Sequence, residues 1–142
     1  MRVILEPIGS VRSAVKTRRH MPNQGTTAEI VLRRKFRKAL YRITASPSLW
    51  VLCYFHKADR DVLRARRRRF PKDKKLRGVF STHSPDRPNP LAMTRVKLLS
   101  CRGGVLRVQG LDAIDGTPVL DIKSAKDDIL VFGEKRPFSR NP

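Results

Sequence analysis

Residues 92–111, Ala92-Met-Thr-Arg-Val-Lys-Leu-Leu-Ser-Cys-Arg-Gly-Gly-Val-Leu-Arg-Val-Gln-Gly-Leu111, decide the fold. Two runs rich in strand-forming residues flank Arg102-Gly103-Gly104. A glycine pair supplies the positive φ that a two-residue hairpin turn requires. Ala92–Cys101 and Val105–Leu111 therefore read as the arms of a β-hairpin. Working outward, Val119–Ile122 adds a strand, and Gly78–Ser81 reads as another. Leu49–His56 carries apolar residues at both parities, which predicts a strand covered on both faces. Ala28–Leu32 is a short strand, and Val3–Val11 a first strand bent at Pro7-Ile8-Gly9. Lys16–Thr27 reads as a polar loop, and Arg34–Tyr41 as a short, very basic helix. Many short strands with few helical periods predict a mainly β protein. The expected architecture is a single compact β-barrel domain over residues 1–126, with one or two short helices. Residues 127–142 read as a partly loose C-terminal extension.

The chain has 142 residues, enough for one hydrophobic core. No apolar run approaches membrane-spanning length, and the start lacks a signal-peptide core, so the expected location is cytoplasmic. Cys53 and Cys101 lie in strand-like runs and read as two reduced thiols rather than a disulfide. Net charge is +20, and it is uneven. Residues 1–77 carry 22 Lys/Arg against 5 Asp/Glu, whereas residues 78–142 carry 10 against 7. Such an excess favours a polyanionic partner, because Lys and Arg displace counterions from phosphates. Nucleic acid is the leading partner, and no basic amphipathic helix with an aromatic-rich face supports a membrane.

Two segments are costly to make by chance. Ser84-Pro-Asp-Arg-Pro-Asn-Pro90 has three prolines in seven residues, which fix φ and remove three backbone donors, so it must be a rigid loop. Leu111-Asp-Ala-Ile-Asp-Gly-Thr-Pro-Val-Leu-Asp-Ile-Lys123 sets Asp112, Asp115 and Asp121 around a turn and a strand-like run. No Gly-x-Gly-x-x-Gly opens a helix after a strand, which argues against a dinucleotide-type fold. His20, His56 and His83 lack ligand spacing, so no metal site is expected, and nothing marks a nucleophile elbow.

These segments resemble the signature of the TrmO family (TsaA/YaeB-like proteins), S-adenosylmethionine-dependent tRNA adenine N6-methyltransferases. The resemblance runs from about Glu6 to Lys123 and includes Pro7-Ile-Gly-Ser-Val-Arg-Ser13, Met21-Pro-Asn-Gln24, Leu49-Trp-Val-Leu52, Phe55-His56 and Gly78-Val-Phe-Ser-Thr82. It implies a β-barrel, S-adenosylmethionine as cofactor, tRNA as partner and a homodimer that completes the site. The implied donor contacts are Pro22, Asn23, Gln24, His56, Lys57, His83, Met93, Ile114, Asp115, Gly116 and Thr117. Asn23 stands where the family usually has arginine, and so does His83.

Methyl transfer from a sulfonium is an in-line displacement, so positioning the acceptor is a large part of catalysis. Adenine's exocyclic amine is a weak nucleophile, and a hydrogen-bond acceptor beside it helps. Asn89, held between two prolines, offers such an oxygen, or else it closes a local turn. Asp121 is the second catalytic candidate; it, Asp112 and Asp115 could each meet donor hydroxyls, contact the adenine or accept a proton. Arg66, Arg67, Arg68, Arg69, Lys72, Lys74 and Lys75 form a dense cationic run that reads as an RNA-phosphate clamp, or as a solvated face. Two further function classes stay open: a basic RNA-binding module with a donor pocket but no catalysis, and a small-molecule methyltransferase.

Overall fold

The computed structural model describes residues 1–68 and 70–125. In chain order the strands are β1 Gly9–Arg12, β2 Thr26–Leu32, β3 Ser48–Tyr54, β4 Arg64–Ala65, β5 Arg77–Gly78, β6 Leu91–Arg102, β7 Val105–Leu111 and β8 Pro118–Ser124. Six of them close an antiparallel barrel in the order β1-β2-β7-β6-β3-β8, while β4 and β5 pair as a separate small ladder. Closure leaves the barrel no free edge.

Strand parity builds the interior. Ile30 and Leu32 of β2, Leu49, Val51 and Cys53 of β3, Val96 of β6, Leu106 and Val108 of β7, and Val119 of β8 point inward and form one buried cluster. Because side chains alternate along a strand, the intervening residues face outward. Gly103 and Gly104 turn the β6–β7 hairpin with φ of 56° and 78°, as their residue type allows.

Several expectations need correction. The first strand is Gly9–Arg12 alone; residues 1–7 are exposed and outside the ladder, where Pro7 has no N–H to give. After Gly78 the chain forms a 3-10 turn, Val79–Ser81, in place of a strand. β3 ends at Tyr54, and its faces differ: Leu49, Val51 and Cys53 are buried, whereas Trp50, Leu52 and Tyr54 are half-buried. The basic helix exists as a 3-10 segment, Arg34–Leu40, and shorter 3-10 turns occupy Arg18–His20 and Ile43–Ala45. Cys53 and Cys101 are both free thiols, and burial pushes the Cys53 thiol up to about 12. The expected loose extension, residues 127–142, lies outside the described residues.

Candidate functional site at one rim of the barrel

The ladder registers fix which loops meet. Arg12 pairs with Glu29, Thr26 with Leu111, Tyr54 with Leu91 and Ser10 with Pro118. These pairings bring four connections to one rim: residues 13–25, 55–63, 79–90 and 112–117. Every residue expected to touch the donor lies on one of them except Met93. Asn89 is there too.

Each loop has its own staple. Pro22, Asn23 and Gln24 form an exposed turn closed by the Gly25 N–H donating to the Pro22 carbonyl at 3.0 Å. His56 and Lys57 are exposed in a turn closed by Ala58 N–H and the Phe55 carbonyl at 3.0 Å. His83 is exposed between Thr82 and Ser84, where the Ser84 N–H donates to the Thr82 hydroxyl at 3.1 Å. In the 112–117 connection, Ile114 and Thr117 are buried, and the Thr117 hydroxyl donates to the Ile114 carbonyl at 2.7 Å. Gly116 N–H donates to the Val11 carbonyl at 2.8 Å, which lashes that turn to β1.

Asp115 is the hub of this lashing. Its Oδ1 accepts the Ser13 N–H at 2.9 Å, and its Oδ2 sits 3.0 Å from Lys16 Nζ. The Ser13 N–H, then Lys16, hold its pKa below the ordinary carboxylate value. A depressed folded-state pKa means a contribution present above the ordinary aspartate value, about 3.9, and lost as pH falls below it. Asp115→Asn should therefore lower the thermal midpoint at pH 7, and the gap to wild type should close below about pH 4. A gap that stays constant down to pH 3 would contradict the ionic role.

Sequence reasoning missed the residues that bind loop to loop. Asp86 accepts both terminal nitrogens of Arg18, at 3.0 and 2.9 Å, and the Asp59 N–H at 2.8 Å. Arg18, then Asp59, hold its pKa below the ordinary value. One carboxylate thus joins three of the four connections. Arg87 donates to the carbonyls of Thr82 and Val79 at 3.1 and 3.0 Å, fixing the shape of its own loop. Arg60 donates from Nε to the Pro88 carbonyl at 2.7 Å and reaches Asn89 Oδ1 at 3.3 Å. A guanidinium has donors only, so the atom facing it is the amide oxygen, which keeps a second lone pair. Asp86 and Arg87 stood in plain view between prolines of a rigid segment; nothing in the sequence marked Arg60.

Asp121 and Met93 lie elsewhere. Leu52 pairs with Met93 on one side and Asp121 on the other, so both sit on the outer barrel wall. Asp121 Oδ1 accepts the Ile122 N–H at 2.9 Å, and Lys123 lies 3.3 Å away. The single chain does not bring Asp121 against Asn89, which lies beyond the Tyr54–Leu91 pair. Around Asp121 the wall is apolar, with Trp50, Leu52 and Tyr54 half-buried and Leu91 and Met93 exposed.

The cationic run folds as an arm around Asp73. Arg67 Nε and Arg77 Nη2 each donate to Asp73 Oδ2 at 3.0 Å, and the Lys75 N–H donates to its other oxygen at 3.1 Å. Arg67, then Arg77, hold Asp73 well below the usual carboxylate range. Arg67 also lies 4.4 Å over the Phe70 ring. Arg66 Nε donates to the Lys74 carbonyl at 2.9 Å. Arg68 reaches across to the donor loop, donating to the Met21 carbonyl at 2.9 Å with Asn23 Oδ1 at 3.5 Å. Thus a guanidinium stands over the Pro22–Gly25 turn, supplied by residue 68. Lys72, Lys74 and Lys75 are exposed and form no ion pair among the described residues. Arg69 lies outside the described residues. Among those residues no group of His, Cys, Asp and Glu is arranged to hold a metal, and no helix is long and apolar enough to cross a membrane.

Several known proteins are similar to this chain. Residues 10–128 match the tRNA-methyltransferase O N-terminal domain. A probable S-adenosyl-L-methionine-binding protein of Methanothermobacter thermautotrophicus is 43% identical over 138 residues, covering 94% of this chain and 97% of that protein. The human tRNA (adenine(37)-N6)-methyltransferase is 32% identical over 130 residues, which is 85% of this chain but 30% of that enzyme. The crystal structure of TrmO from Pseudomonas aeruginosa superposes with a TM-score of 0.76 at 28% identity, covering 99% of this chain and 62% of the solved one. The chain thus spans nearly the full length of the archaeal protein and about three fifths of the solved bacterial one. By that match over residues 10–128, and by relatives alike over nearly their full length, the chain belongs to the tRNA-methyltransferase O N-terminal domain family.

Proposed function

We propose that this protein is an S-adenosylmethionine-dependent methyltransferase that acts on the exocyclic N6 amine of a modified adenosine beside the tRNA anticodon. The observation that carries the reading is the convergence, at one rim, of the loops holding Pro22–Gln24, His56–Lys57, His83, Asn89 and Ile114–Thr117. Relatives named for binding this donor and for tRNA methylation support it.

The exposed rim groups fit the donor's chemistry. Asn23 and Gln24 present amide donors and acceptors suited to an adenine edge or ribose hydroxyl, and Lys57 supplies a cation for the carboxylate of the amino-acid moiety. Gly116 and Thr117 would shape that pocket through the backbone, since the Thr117 side chain is fully buried. When bound, the donor supplies a methyl group on a sulfonium. Asn89, oriented by Arg60, accepts a hydrogen bond from the amine and aligns its lone pair for in-line attack. On methylation the amine would shed one proton, and Asp121 is the proposed acceptor.

Asp121 lies on the outer wall, so this assignment requires a homodimer in which a second copy covers the apolar face around Leu52, Leu91 and Met93. Two of those residues are half-exposed here, at 50% for Leu91 and 55% for Met93, which suits an interface that is apolar at its centre. Arg66, Arg68, Lys72, Lys74 and Lys75, which pair with no carboxylate among the described residues, are the cations of the arm proposed to meet RNA phosphates. A cytoplasmic location is proposed with that tRNA-modifying role. Calorimetry with S-adenosylmethionine and with its demethylated product tests the donor site: a saturable signal is expected with both. No heat with either ligand at millimolar concentration would overturn the reading, and methylation of a small molecule without tRNA would redirect it.

A further inference from the structure

The opposite rim of the barrel lies about 20 Å from the donor rim, the length of β2. It carries a second set of cations, separate from the arm. The 3-10 segment Arg34–Leu40 lies there, with Phe36 and Leu40 packed against the barrel core. Arg34, Arg37 and Lys38 project outward and are exposed, and Arg42 follows. Arg37 lies against Gly104 of the β6–β7 hairpin. Among the described residues Glu6 pairs with Arg33 and Lys35 only. Among the described residues no carboxylate pairs with Arg34, Arg37, Lys38 or Arg42.

Two features set this surface apart from an ordinary solvated charge run. Tyr41 is 84% exposed in the middle of the cations. Its backbone (φ −52°, ψ 122°) and that of Arg42 (φ 62°, ψ 21°) form a type II turn with arginine where glycine is the unstrained residue. Arg42 is the one non-glycine described residue with positive φ. The turn leaves both Tyr41 and Arg42 exposed. Backbone strain of this kind collects at ligand-contacting sites.

We propose that this second rim is a nucleic-acid contact in its own right: Arg34, Arg37, Lys38 and Arg42 neutralise backbone phosphates, and Tyr41 stacks on an unpaired base. Aromatic stacking and phosphate pairing are the two elements of sequence-tolerant single-strand binding. An acidic membrane would use the same charges together with Val3, Ile4 and Leu5, which are exposed beside Glu6; a lone exposed ring set among the cations favours an unpaired base, and the vesicle measurement below separates the two. The inference rests on the nucleic-acid reading above and deepens it. An RNA held at both rims is gripped at points about 20 Å apart, so one molecule can reach the donor site while anchored here.

The test uses the full chain and tRNA, with affinity measured across a salt series. Combined Arg34→Gln, Arg37→Gln, Lys38→Gln and Arg42→Gln should reduce the log–log salt slope by about 3, at roughly 0.7 to 0.9 per phosphate lost. S-adenosylmethionine binding should not change. Tyr41→Ala should weaken binding of a single-stranded oligonucleotide about tenfold, a loss in the range of one stacked base. Arg42→Gly relaxes the turn, so it should keep or raise the thermal midpoint while still weakening RNA binding. Wild-type slope and affinity in all three variants would overturn the proposal, as would loss of binding to phosphatidylserine vesicles with RNA binding intact. If the wild-type protein itself binds no RNA, the nucleic-acid reading falls as well, which separates the two failures.

Discussion

Alanine at position 25 should lower the midpoint of thermal unfolding by roughly 10 °C and weaken donor binding more than tenfold. Gly25 adopts φ of 73°, and a Cβ there would come within 2.7 Å of the Gly110 carbonyl and 2.8 Å of the Leu111 carbonyl oxygen. Both obstacles are backbone atoms of β7, held in the barrel ladder, and they cannot rotate away. The left-handed penalty of 1–2 kcal/mol and an overpacking term of similar size sum to about 3 kcal/mol. The same residue closes the Pro22–Gln24 turn, so the donor loop moves with it. Gly103 is the control. It also has positive φ, at 56°, but a Cβ there meets nothing within 4 Å. Gly103→Ala should cost only the backbone strain, about 1 kcal/mol, and leave donor binding intact. Differential scanning fluorimetry and calorimetry on the two variants check both halves; equal effects would contradict the close-approach argument.

The second large effect belongs to Asn89. Asn89→Ala should lower kcat about 100-fold, the usual scale for a positioning or polar contact made at the reacting group, with donor affinity within about threefold of wild type. Its side chain is exposed, and its backbone carbonyl already accepts the Leu91 N–H at 2.7 Å across Pro90. The loop shape therefore does not depend on the amide. Arg60→Ala should share part of the loss, because it frees the Asn89 oxygen to swing. Wild-type turnover in Asn89→Ala would remove the catalytic role, and a lowered thermal midpoint in its place would return Asn89 to a turn residue.

The barrel was legible because strand parity is a local property. The alternation in β6 and β7, and the Gly103-Gly104 turn between them, identify a hairpin without any tertiary information. The rim was legible for a related reason: prolines and the Asp-Gly-Thr-Pro turn must lie where strands end. What escaped was tertiary pairing. Arg66, Arg67 and Arg68 read as one cationic run, yet Arg67 shares Asp73 with Arg77, while Arg68 reaches the Met21 carbonyl, a neutral acceptor that leaves its charge unneutralised. One acid inside a basic run looks negligible by charge count, but it gathers its neighbours when the chain folds back. Arg60 could not be found at all, since its partners lie 28 and 29 residues away. Gly78–Ser81 failed differently. Its apolar residues suit a strand, but the N–H of Thr82 bonds back to Val79, and Phe80 is left outside at 83% exposure.

The most direct measurement of the central claim is the fate of the methyl group. The protein is incubated with methyl-labelled S-adenosylmethionine and tRNA from cells lacking it, and the RNA is digested to nucleosides for mass spectrometry. The account predicts label in one modified adenosine, on the base at N6, that appears only with tRNA present and drops about 100-fold with Asn89→Ala. Label on ribose or on another base, or none in RNA from a preparation that binds the donor, would contradict it.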